Sequence, residues 1–228
     1  MAKRALIIED SPDVSKLLEK VLQREGYDPL VADSVESGTA IARDAEPNLV
    51  ILDLSLPDGD GIEACREIRS FSDAYIIMVT SRDDEVDKLL GLGVGADDYV
   101  TKPFSPRELG ARIRAVSRRP RAEAPSNEVR TFGEFIMDVS ARELSITGDA
   151  IGLTKTEFDL LEVLSASPRR TFTRQQLIDQ VWGDWFGDDH ILNVHVGNLR
   201  RKLSAVSPNQ SYIETVRGVG YRFHQPEA

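Results

Sequence analysis

The first half of the chain alternates short runs of β-forming residues with segments of helical periodicity, and this alternation constrains the fold more than any other feature. Parallel strands need long crossover connections, which helices supply. The pattern therefore predicts a doubly wound α/β fold, in which a five-stranded parallel sheet carries helices on both faces. The predicted strands are Arg4–Ile8, Asp28–Ala32, Asn48–Leu52, Tyr75–Val79 and Asp97–Val100.

Polar side chains directly follow four of these strands, at the point where each strand ends. They are the carboxylates of Glu9, Asp10 and Asp53, the hydroxyl of Thr80 and the ammonium of Lys102. Because the carboxyl ends of parallel strands meet at one edge of a sheet, we expect these groups to lie together. Three close carboxylates repel one another unless a hard cation lies among them, and Mg²⁺ is bound by a few carboxylates plus water. A carboxylate beside Mg²⁺ and a lysine can accept a phosphoryl group as a nucleophile.

Taken singly, each of these residues has an ordinary interpretation. Asp53 is a common turn residue, Thr80 a common helix cap and Lys102 a common solvated charge. Those interpretations would require several independent coincidences at one sheet edge, whereas a single binding site explains all of them. We therefore take this edge as a candidate phosphoryl-acceptor site.

These residues resemble the receiver domain of two-component response regulators, a flavodoxin-like domain. The motifs that carry the resemblance are Glu9-Asp10, Asp53 with Pro57 and Gly61 after it, Thr80-Ser81 and Lys102-Pro103-Phe104. The resemblance implies that a sensor histidine kinase phosphorylates Asp53. It also implies that Asp10, Asp53 and the backbone carbonyl of Ser55 hold Mg²⁺, with Glu9 assisting through water.

The same resemblance assigns the remaining roles in the first half. Lys102 and Thr80 would bind the phosphoryl oxygens, and Tyr99 would be the aromatic side chain that reorients. The Lys102–Pro103 peptide would be cis, as X–Pro bonds can be.

Charged residues between Asp84 and Arg119 form a second pattern. By resemblance to the family, three pairs join two receivers across a two-fold dimer: Lys88 with Glu108, Asp98 with Arg112, and Asp97 with Arg119. The alternative is that these charges are merely solvated, since an exposed ion pair contributes about 0 to 1 kcal/mol. We expect such pairs to select the partner more than to strengthen the dimer.

The second half has a different pattern, and a proline-containing stretch without hydrophobic periodicity separates it from the first. The predicted organisation is a receiver over residues 1–119, a linker over 120–129 and a second domain over 130–226. Predicted strands are Phe132–Met137, Glu143–Ile146 and Ala150–Leu153. Two capping boxes, Thr154-x-x-Glu157 and Thr173-x-x-Gln176, predict helices over Lys155–Ala166 and Arg174–Val181. A third helix over His190–Ser204 and hairpin strands Tyr212–Val216 and Tyr221–His224 complete the prediction.

The third helix has one apolar stripe and one polar stripe. The apolar stripe is Leu192, Val196, Leu199 and Leu203, and the opposite one is His190, Asn193, Val194, Gly197 and Arg201. Such a helix beside a glycine-rich hairpin indicates a winged helix-turn-helix α+β domain, whose last helix enters the major groove of DNA. The domain resembles the effector domain of OmpR/PhoB response regulators, notably in the run from Val216 to Phe223.

That resemblance implies DNA contacts and a second partner. The implied DNA contacts are His190, Asn193, Val194, Asn198, Arg200, Arg201, Thr215 and Arg217, and the loop Gly183–Asp189 would contact RNA polymerase. The sequence departs from the family where Asn193 replaces an acid, Asn198 replaces a basic residue and Gly197 interrupts the helix. Because asparagine can read adenine through two hydrogen bonds, we hypothesise an altered DNA specificity.

The charge distribution agrees with a local DNA-binding patch. The net charge is −10, but the segment Leu199–Arg222 carries five cations against Glu214 alone, which is the kind of patch that phosphate contacts require. The chain begins without a signal-peptide core and has no apolar run of membrane-spanning length, so we expect a cytoplasmic protein. The single cysteine, Cys65, is expected to be a reduced core thiol.

The sequence thus predicts a transcription regulator that is switched by phosphorylation, dimerises through its receiver and is not an enzyme. Two alternatives stay open. A phosphatase with an aspartyl-phosphate intermediate would need a general acid two residues after Asp53, where Ser55 stands. A DNA-binding regulator that ignores phosphorylation would have no use for the acid pocket.

Overall fold

The computed structural model describes residues 3–81, 85–118, 128–183 and 189–225, without the side chains of 85–89 and 116–118. The chain divides into two compact units, Met1–Ser117 and Arg118–Ala228. Within the described residues, no helix is long and apolar enough to cross a membrane.

The first unit is the predicted doubly wound α/β domain. Its strands are β1 (Lys3–Ile8), β2 (Tyr27–Ala32), β3 (Leu49–Leu52), β4 (Ser55–Leu56), β5 (Gly59–Asp60), β6 (Tyr75–Thr80) and β7 (Asp98–Thr101). Its helices are α1 (Pro12–Arg24), α2 (Val35–Ala45), α3 (Gly61–Phe71), α4 (Glu85–Val94) and α5 (Pro106–Arg118). Five strands form one parallel sheet in the order β2-β1-β3-β6-β7, while β4 and β5 form a small antiparallel hairpin.

The middle of the large sheet is buried on both faces. All four residues of β3 are buried, and β1 from Ala5 to Ile8 and β6 from Ile76 to Thr80 are buried as well. This explains why these strands are continuous apolar runs rather than alternating ones. Cys65 of α3 lies in the same core, and burial raises the pKa of its thiol to about 12, which agrees with an inert core thiol.

The second unit contains two antiparallel sheets and three helices. Its elements are β8 (Val129–Phe132), β9 (Phe135–Asp138), β10 (Glu143–Ile146), β11 (Asp149–Ala150), α6 (Lys155–Ser165), β12 (Thr171–Thr173), α7 (Arg174–Val181), α8 (His190–Val206), β13 (Ile213–Val216) and β14 (Gly220–Phe223). The sheet orders are β11-β10-β9-β8 and β12-β14-β13. The predicted hairpin at the end of the chain is therefore part of a three-stranded sheet, in which β14 is central.

Two strand predictions in this unit are wrong in extent. The predicted strand Phe132–Met137 is two strands, because the chain turns at Gly133-Glu134 and β8 pairs antiparallel with β9. The predicted strand Ala150–Leu153 is confined to β11. Both capping boxes are confirmed: Thr154 pairs reciprocally with Glu157 before α6, and Thr173 with Gln176 before α7.

Candidate functional site

The candidate acid pocket lies where β1 and β3 end side by side. The two strands pair from Ala5 with Leu49 to Ile8 with Leu52, and the amide of Asp53 donates to the carbonyl of Ile8 at 2.9 Å. This register brings Glu9, Asp10 and Asp53 together, with one carboxylate oxygen from each lying within 4.8 Å of the others. Glu9 and Asp53 are buried, whereas Asp10 is exposed. The predicted cluster of carboxylates is therefore present at the sheet edge.

Lys102 connects two of these carboxylates. Its Nζ lies 2.6 Å from Glu9 Oε2 and 2.6 Å from Asp53 Oδ2. Burial alone would lower the pKa of the Lys102 ammonium, but its hydrogen bonds to Asp53 and Glu9 outweigh that effect and raise the pKa. Burial raises the pKa of Glu9, and the hydrogen bond from Lys102 partly offsets the rise. The Lys102 side chain thus carries a stable positive charge within the pocket.

The charge of the pocket fits a divalent cation. Three carboxylates face one ammonium, which leaves two negative charges for a bound ion to neutralise. All the side-chain donors are carboxylate oxygens, which Mg²⁺ prefers over nitrogen or sulfur. The pocket residues therefore fit the ion that the sequence predicts.

Thr80 ends β6, and Tyr99 lies on the neighbouring strand β7, opposite Met78. Thr80 is the last residue of β6, is buried, and its carbonyl accepts a hydrogen bond from the amide of Lys102 at 2.7 Å. Tyr99 is half-buried on β7, and its amide donates to Asp98 Oδ1 at 2.6 Å. The Lys102–Pro103 peptide is cis, as predicted.

The β4–β5 hairpin fixes the loop that follows Asp53. The amide of Ser55 donates to Asp53 Oδ1 at 3.2 Å, which holds the carboxylate from the loop side. At the hairpin turn, Asp58 accepts hydrogen bonds from the amides of Val35 at 2.8 Å and Glu36 at 3.0 Å, at the beginning of α2. These two hydrogen bonds lower the pKa of Asp58. Asp58 therefore fastens the loop to a helix that lies next to it.

Gly61 permits the chain to turn back beside Asp53. A Cβ at this position would lie 2.2 Å from the carbonyl oxygen of Asp53, which is far inside van der Waals contact. Gly61 belongs to the predicted receiver motif, but the reason for a glycine there appears only with the structure. The role of Asp58 was not predicted, although the Leu-Pro-Asp-Gly run signals a turn.

The predicted DNA-facing surface lies on α8 and on β13 with the turn that follows it. His190, Arg201, Thr215 and Arg217 are exposed, and Asn193 and Val194 are half-buried. The predicted apolar stripe of Leu192, Val196, Leu199 and Leu203 is buried, which confirms which side of α8 packs inward.

Two predicted DNA contacts need correction. Asn198 is only 6% exposed, and its Oδ1 accepts a hydrogen bond from Arg201 at 3.2 Å. Arg200 is turned toward β13, where its guanidinium donates to the carbonyl of Ile213 at 2.8 and 3.0 Å and to Thr215 Oγ1 at 2.9 Å. In this structure both residues support the surface rather than form its outer face.

The segment predicted to contact RNA polymerase, Gly183–Asp189, lies mostly outside the described residues, as does Trp185. Trp182 precedes this segment and is buried, with its ring centroid 5.6 Å from that of His195 on α8. Trp182 is therefore a core side chain.

Comparison with known proteins decides the family. The protein-family model described as "Response regulator receiver domain" matches residues 5–114. A second family model, described as "Transcriptional regulatory protein, C terminal", matches residues 148–223. A DNA-binding response regulator, MtrA of Mycolicibacterium smegmatis, is 43% identical over 227 residues, which cover 99% of each chain. The chain belongs to the OmpR/PhoB family of response regulators. It is a transcriptional regulator of the two-component type, with a receiver and a DNA-binding domain.

Other relatives agree over nearly the whole regulator. The transcriptional regulatory protein BaeR of Escherichia coli is 40% identical over 221 residues, covering 96% of this chain and 92% of BaeR. Among solved structures, a mutant of RitR superposes with a TM-score of 0.80 at 28% identity, covering 98% of this chain and 100% of that one. DrrB of Thermotoga maritima, described as an OmpR/PhoB homolog, superposes with a TM-score of 0.52 at 29% identity, with the same coverage of both chains.

The charged pairs predicted for a receiver dimer include one that the regulator forms within a single chain. Arg112 lies 3.0 Å from Asp98 and 2.9 Å from Glu108 of the same chain. Asp97 is buried and contacts Arg69, and it accepts a hydrogen bond from the amide of Ile76 at 3.0 Å. These intrachain contacts differ from the predicted pairing across a dimer. The side chain of Lys88 and all of Arg119 lie outside the described residues.

Proposed function

We propose that phosphorylation of Asp53 switches this regulator, and that the phosphorylated form dimerises and binds DNA. The observation that carries the proposal is the position of Lys102 Nζ, 2.6 Å from both Glu9 and Asp53, beside a cluster that Asp10 completes. A nucleophilic carboxylate, a fixed cation and further carboxylates for a metal are the parts that phosphoryl transfer to aspartate requires. The donor is a sensor histidine kinase, since response regulators of this family interact with such kinases.

In the proposed reaction, a carboxylate oxygen of Asp53 attacks the phosphorus of a phosphohistidine. A P–O bond forms, the P–N bond breaks, and the histidine nitrogen leaves with the electron pair. Asp10, Asp53 and the backbone carbonyl of Ser55 would hold Mg²⁺, with Glu9 acting through water. When bound, Mg²⁺ neutralises charge on the phosphoryl oxygens. Lys102 supplies a second cation to the same oxygens, and the Thr80 hydroxyl donates to one of them.

We infer that the phosphoryl group is a signal rather than an intermediate in turnover. Ser55 lies two residues after Asp53, and a hydroxyl there cannot serve as the general acid that a phosphatase of this type needs. The proposed site of action is the cytoplasm. Tyr99 is the side chain that we expect to reorient on phosphorylation. The surface of α4, β7 and α5 would form the dimer, in which Lys88, Glu108 and Arg119 are the proposed cross-dimer charges.

The proposed output is DNA binding by the second unit. His190, Asn193, Val194 and Arg201 of α8 would face the major groove, and Thr215 and Arg217 would contact DNA from the wing. The wing is defined here as β13, β14 and the turn between them. The loop Gly183–Asp189 is proposed to contact RNA polymerase.

The test compares wild type with Asp53→Asn in the full chain, each treated with Mg²⁺ and a small acyl-phosphate donor. Intact mass reports covalent phosphorylation, and recovery of fragments from a random double-stranded DNA library reports binding. We expect wild type to gain one phosphoryl group and to recover more DNA, and Asp53→Asn to do neither. Asp60→Asn is the matched control, because Asp60 lies in the same loop and asparagine also caps α3, whose Ile62 amide bonds to Asp60.

Two outcomes would contradict the proposal. One is phosphorylation of Asp53→Asn at the level of wild type, which would place the acceptor elsewhere. The other is equal DNA recovery by wild type with and without the donor, which would favour a regulator that ignores phosphorylation. Steady release of phosphate from phosphomonoesters by wild type would favour the phosphatase alternative.

A further inference from the structure

The side-chain amide of Asn193, on the proposed DNA face of α8, is held from behind by the wing. The hydroxyl of Tyr221 donates a hydrogen bond to Asn193 Oδ1 at 2.8 Å. Asn193 is half-buried, whereas Tyr221 is 5% exposed, so the contact lies between the helix and the sheet rather than in solvent.

Tyr221 is itself fixed in position. It lies on β14, the central strand of its sheet, opposite Thr215 of β13 and Phe172 of β12. The guanidinium carbon of Arg200 lies 5.6 Å from the centre of its ring, and that of Arg174 lies 6.0 Å away. Because backbone pairing on both sides and two cations hold the ring, its hydroxyl is a rigid reference point for the amide of Asn193.

An asparagine amide has one acceptor oxygen and two N–H donors on its nitrogen. With Oδ1 bound to Tyr221, the amide turns its Nδ2 donors away from the wing. Bidentate reading of adenine needs both the oxygen and the nitrogen of an asparagine. Tyr221 already occupies one of the two acceptor positions of that oxygen, so the Nδ2 donors are the part of the amide that the wing leaves for DNA.

We propose that Asn193 reads DNA as a hydrogen-bond donor and that Tyr221 is the positioning residue that sets this polarity. In the major groove guanine, adenine and thymine each present an acceptor, whereas cytosine presents the N4 donor. Asn193 therefore selects against cytosine at the base it faces. An acid at this position would do the opposite, because a carboxylate accepts from cytosine N4. This inference rests on the proposed DNA face of α8.

The purely structural alternative is that Tyr221 only braces the wing against α8. In that case, loss of its hydroxyl would change stability or overall affinity but not the choice of base. Base preference is thus the readout that separates positioning from bracing.

The experiment selects binding sites from a random double-stranded DNA library with the full chain, treated with Mg²⁺ and the acyl-phosphate donor. Wild type, Asn193→Asp and Tyr221→Phe are compared. Tyr212→Phe is the matched control, because it removes a hydroxyl from a buried tyrosine of the same unit, whose ring lies 5.3 Å from Phe135.

We expect wild type to select a motif with one position per half-site from which cytosine is depleted. Asn193→Asp is expected to enrich cytosine at that position, and Tyr221→Phe to weaken the discrimination there by about 3- to 10-fold, the worth of one hydrogen bond. Tyr212→Phe should retain the wild-type motif.

The inference is overturned if Asn193→Asp selects the wild-type motif, or if Tyr221→Phe discriminates as sharply as wild type. Enrichment of cytosine by wild type at the position that Asn193→Asp changes would also overturn it. If wild type selects no motif at all, the proposed DNA-binding function fails instead. The two failures are therefore distinguishable.

Discussion

The acid pocket and the DNA-facing surface differ in what holds their side chains in place. In the pocket, the functional groups contact one another: Lys102 bonds directly to Glu9 and Asp53. On α8, the outward residues are held by a layer behind them, in which Tyr221 bonds to Asn193 and Arg200 bonds to the wing. Phosphorylation in the pocket should therefore be sensitive to substitutions of the charged residues themselves. DNA binding should also be sensitive to substitutions of residues behind the DNA face, such as Tyr221, that do not contact DNA.

The buried ion pair of the receiver gives the largest expected effect. Arg112→Gln leaves Asp98 buried without its cation, which costs about 3 to 5 kcal/mol of unfolding free energy near neutral pH. Burial raises the pKa of Asp98 to about 6 even beside Arg112. The Asp98 carboxylate therefore binds a proton at a higher pH in the folded receiver than in the unfolded chain. The free energy of unfolding that this proton contributes is lost as pH rises through about 6.

The deficit of Arg112→Gln should consequently be larger near pH 7.5 than near pH 5.5, as measured by urea unfolding of the full chain. The double variant Asp98→Asn/Arg112→Gln is the control, because it removes both charges and should recover most of the loss. An equal deficit at both pH values would show that Asp98 does not carry the effect.

A matched pair of glycines compares the two regions directly. Gly61→Ala would place a Cβ 2.2 Å from the carbonyl oxygen of Asp53, and Gly220→Ala would place one 2.1 Å from that of Phe172. Because backbone must move in each case, we expect each variant to lose about 2 to 3 kcal/mol of stability.

Calorimetry and site selection should separate the effects of the two alanine variants. Gly61→Ala should lower only the transition of the receiver and impair phosphorylation of Asp53. Gly220→Ala should lower only the transition of the second unit and impair DNA selection. A shift of both transitions by either variant would contradict this independence.

Two adjacent arginines of α8, Arg200 and Arg201, should differ in whether their loss mainly affects stability or DNA binding, with smaller effects than the glycine variants. Arg200→Ala removes hydrogen bonds to Ile213 and Thr215 and should lower the stability of the second unit by about 1 to 2 kcal/mol. Arg201→Ala removes an exposed cation and its one hydrogen bond to Asn198, so it should cost less stability than Arg200→Ala, about 0.5 to 1 kcal/mol. It should instead weaken DNA binding uniformly across sequences. The slope of the logarithm of affinity against the logarithm of salt concentration should fall in magnitude by about 1, as expected for one lost phosphate contact. Reversed outcomes would show that Arg200, rather than Arg201, reaches DNA.

The smallest expected effect is a gain in stability. Gly197 is exposed within α8, and a Cβ there would meet nothing within 4 Å. Gly197→Ala should therefore raise the stability of the second unit by about 1 kcal/mol through helix propensity alone. If stability rises and DNA affinity falls, the helix backbone approaches DNA closely at this residue. Unchanged stability would contradict the propensity argument.

The sequence predicted the pocket more fully than the DNA face, for a physical reason. Residues that end parallel strands must meet at one edge, so Glu9, Asp53 and Lys102 could be placed together from the strand pattern alone. On a helix, the side that a residue faces depends on its angle around the axis. Asn198 follows the buried Ile191 by seven residues, which is two turns, so it lies on the side that packs inward.

Two side-chain contacts between distant elements, one in each region, did not follow from the sequence. The Tyr221–Asn193 hydrogen bond joins residues 28 positions apart, and the bonds from Val35 and Glu36 to Asp58 span 23 and 22. Neither follows from periodicity or from capping motifs, because each depends on how a loop or sheet packs against a helix. The break between β8 and β9 was missed because β-forming residues lie on both sides of Gly133-Glu134.

The attachment of Asp58 to α2 makes two backbone amides sensitive to events at the acid pocket. The N–H groups of Val35 and Glu36 depend on a carboxylate of the loop that also carries Ser55. Any event that displaces this loop breaks these two hydrogen bonds, so that hydrogen exchange accelerates at both amides. Both amides are therefore an intrinsic probe of loop position, readable by mass spectrometry without any label.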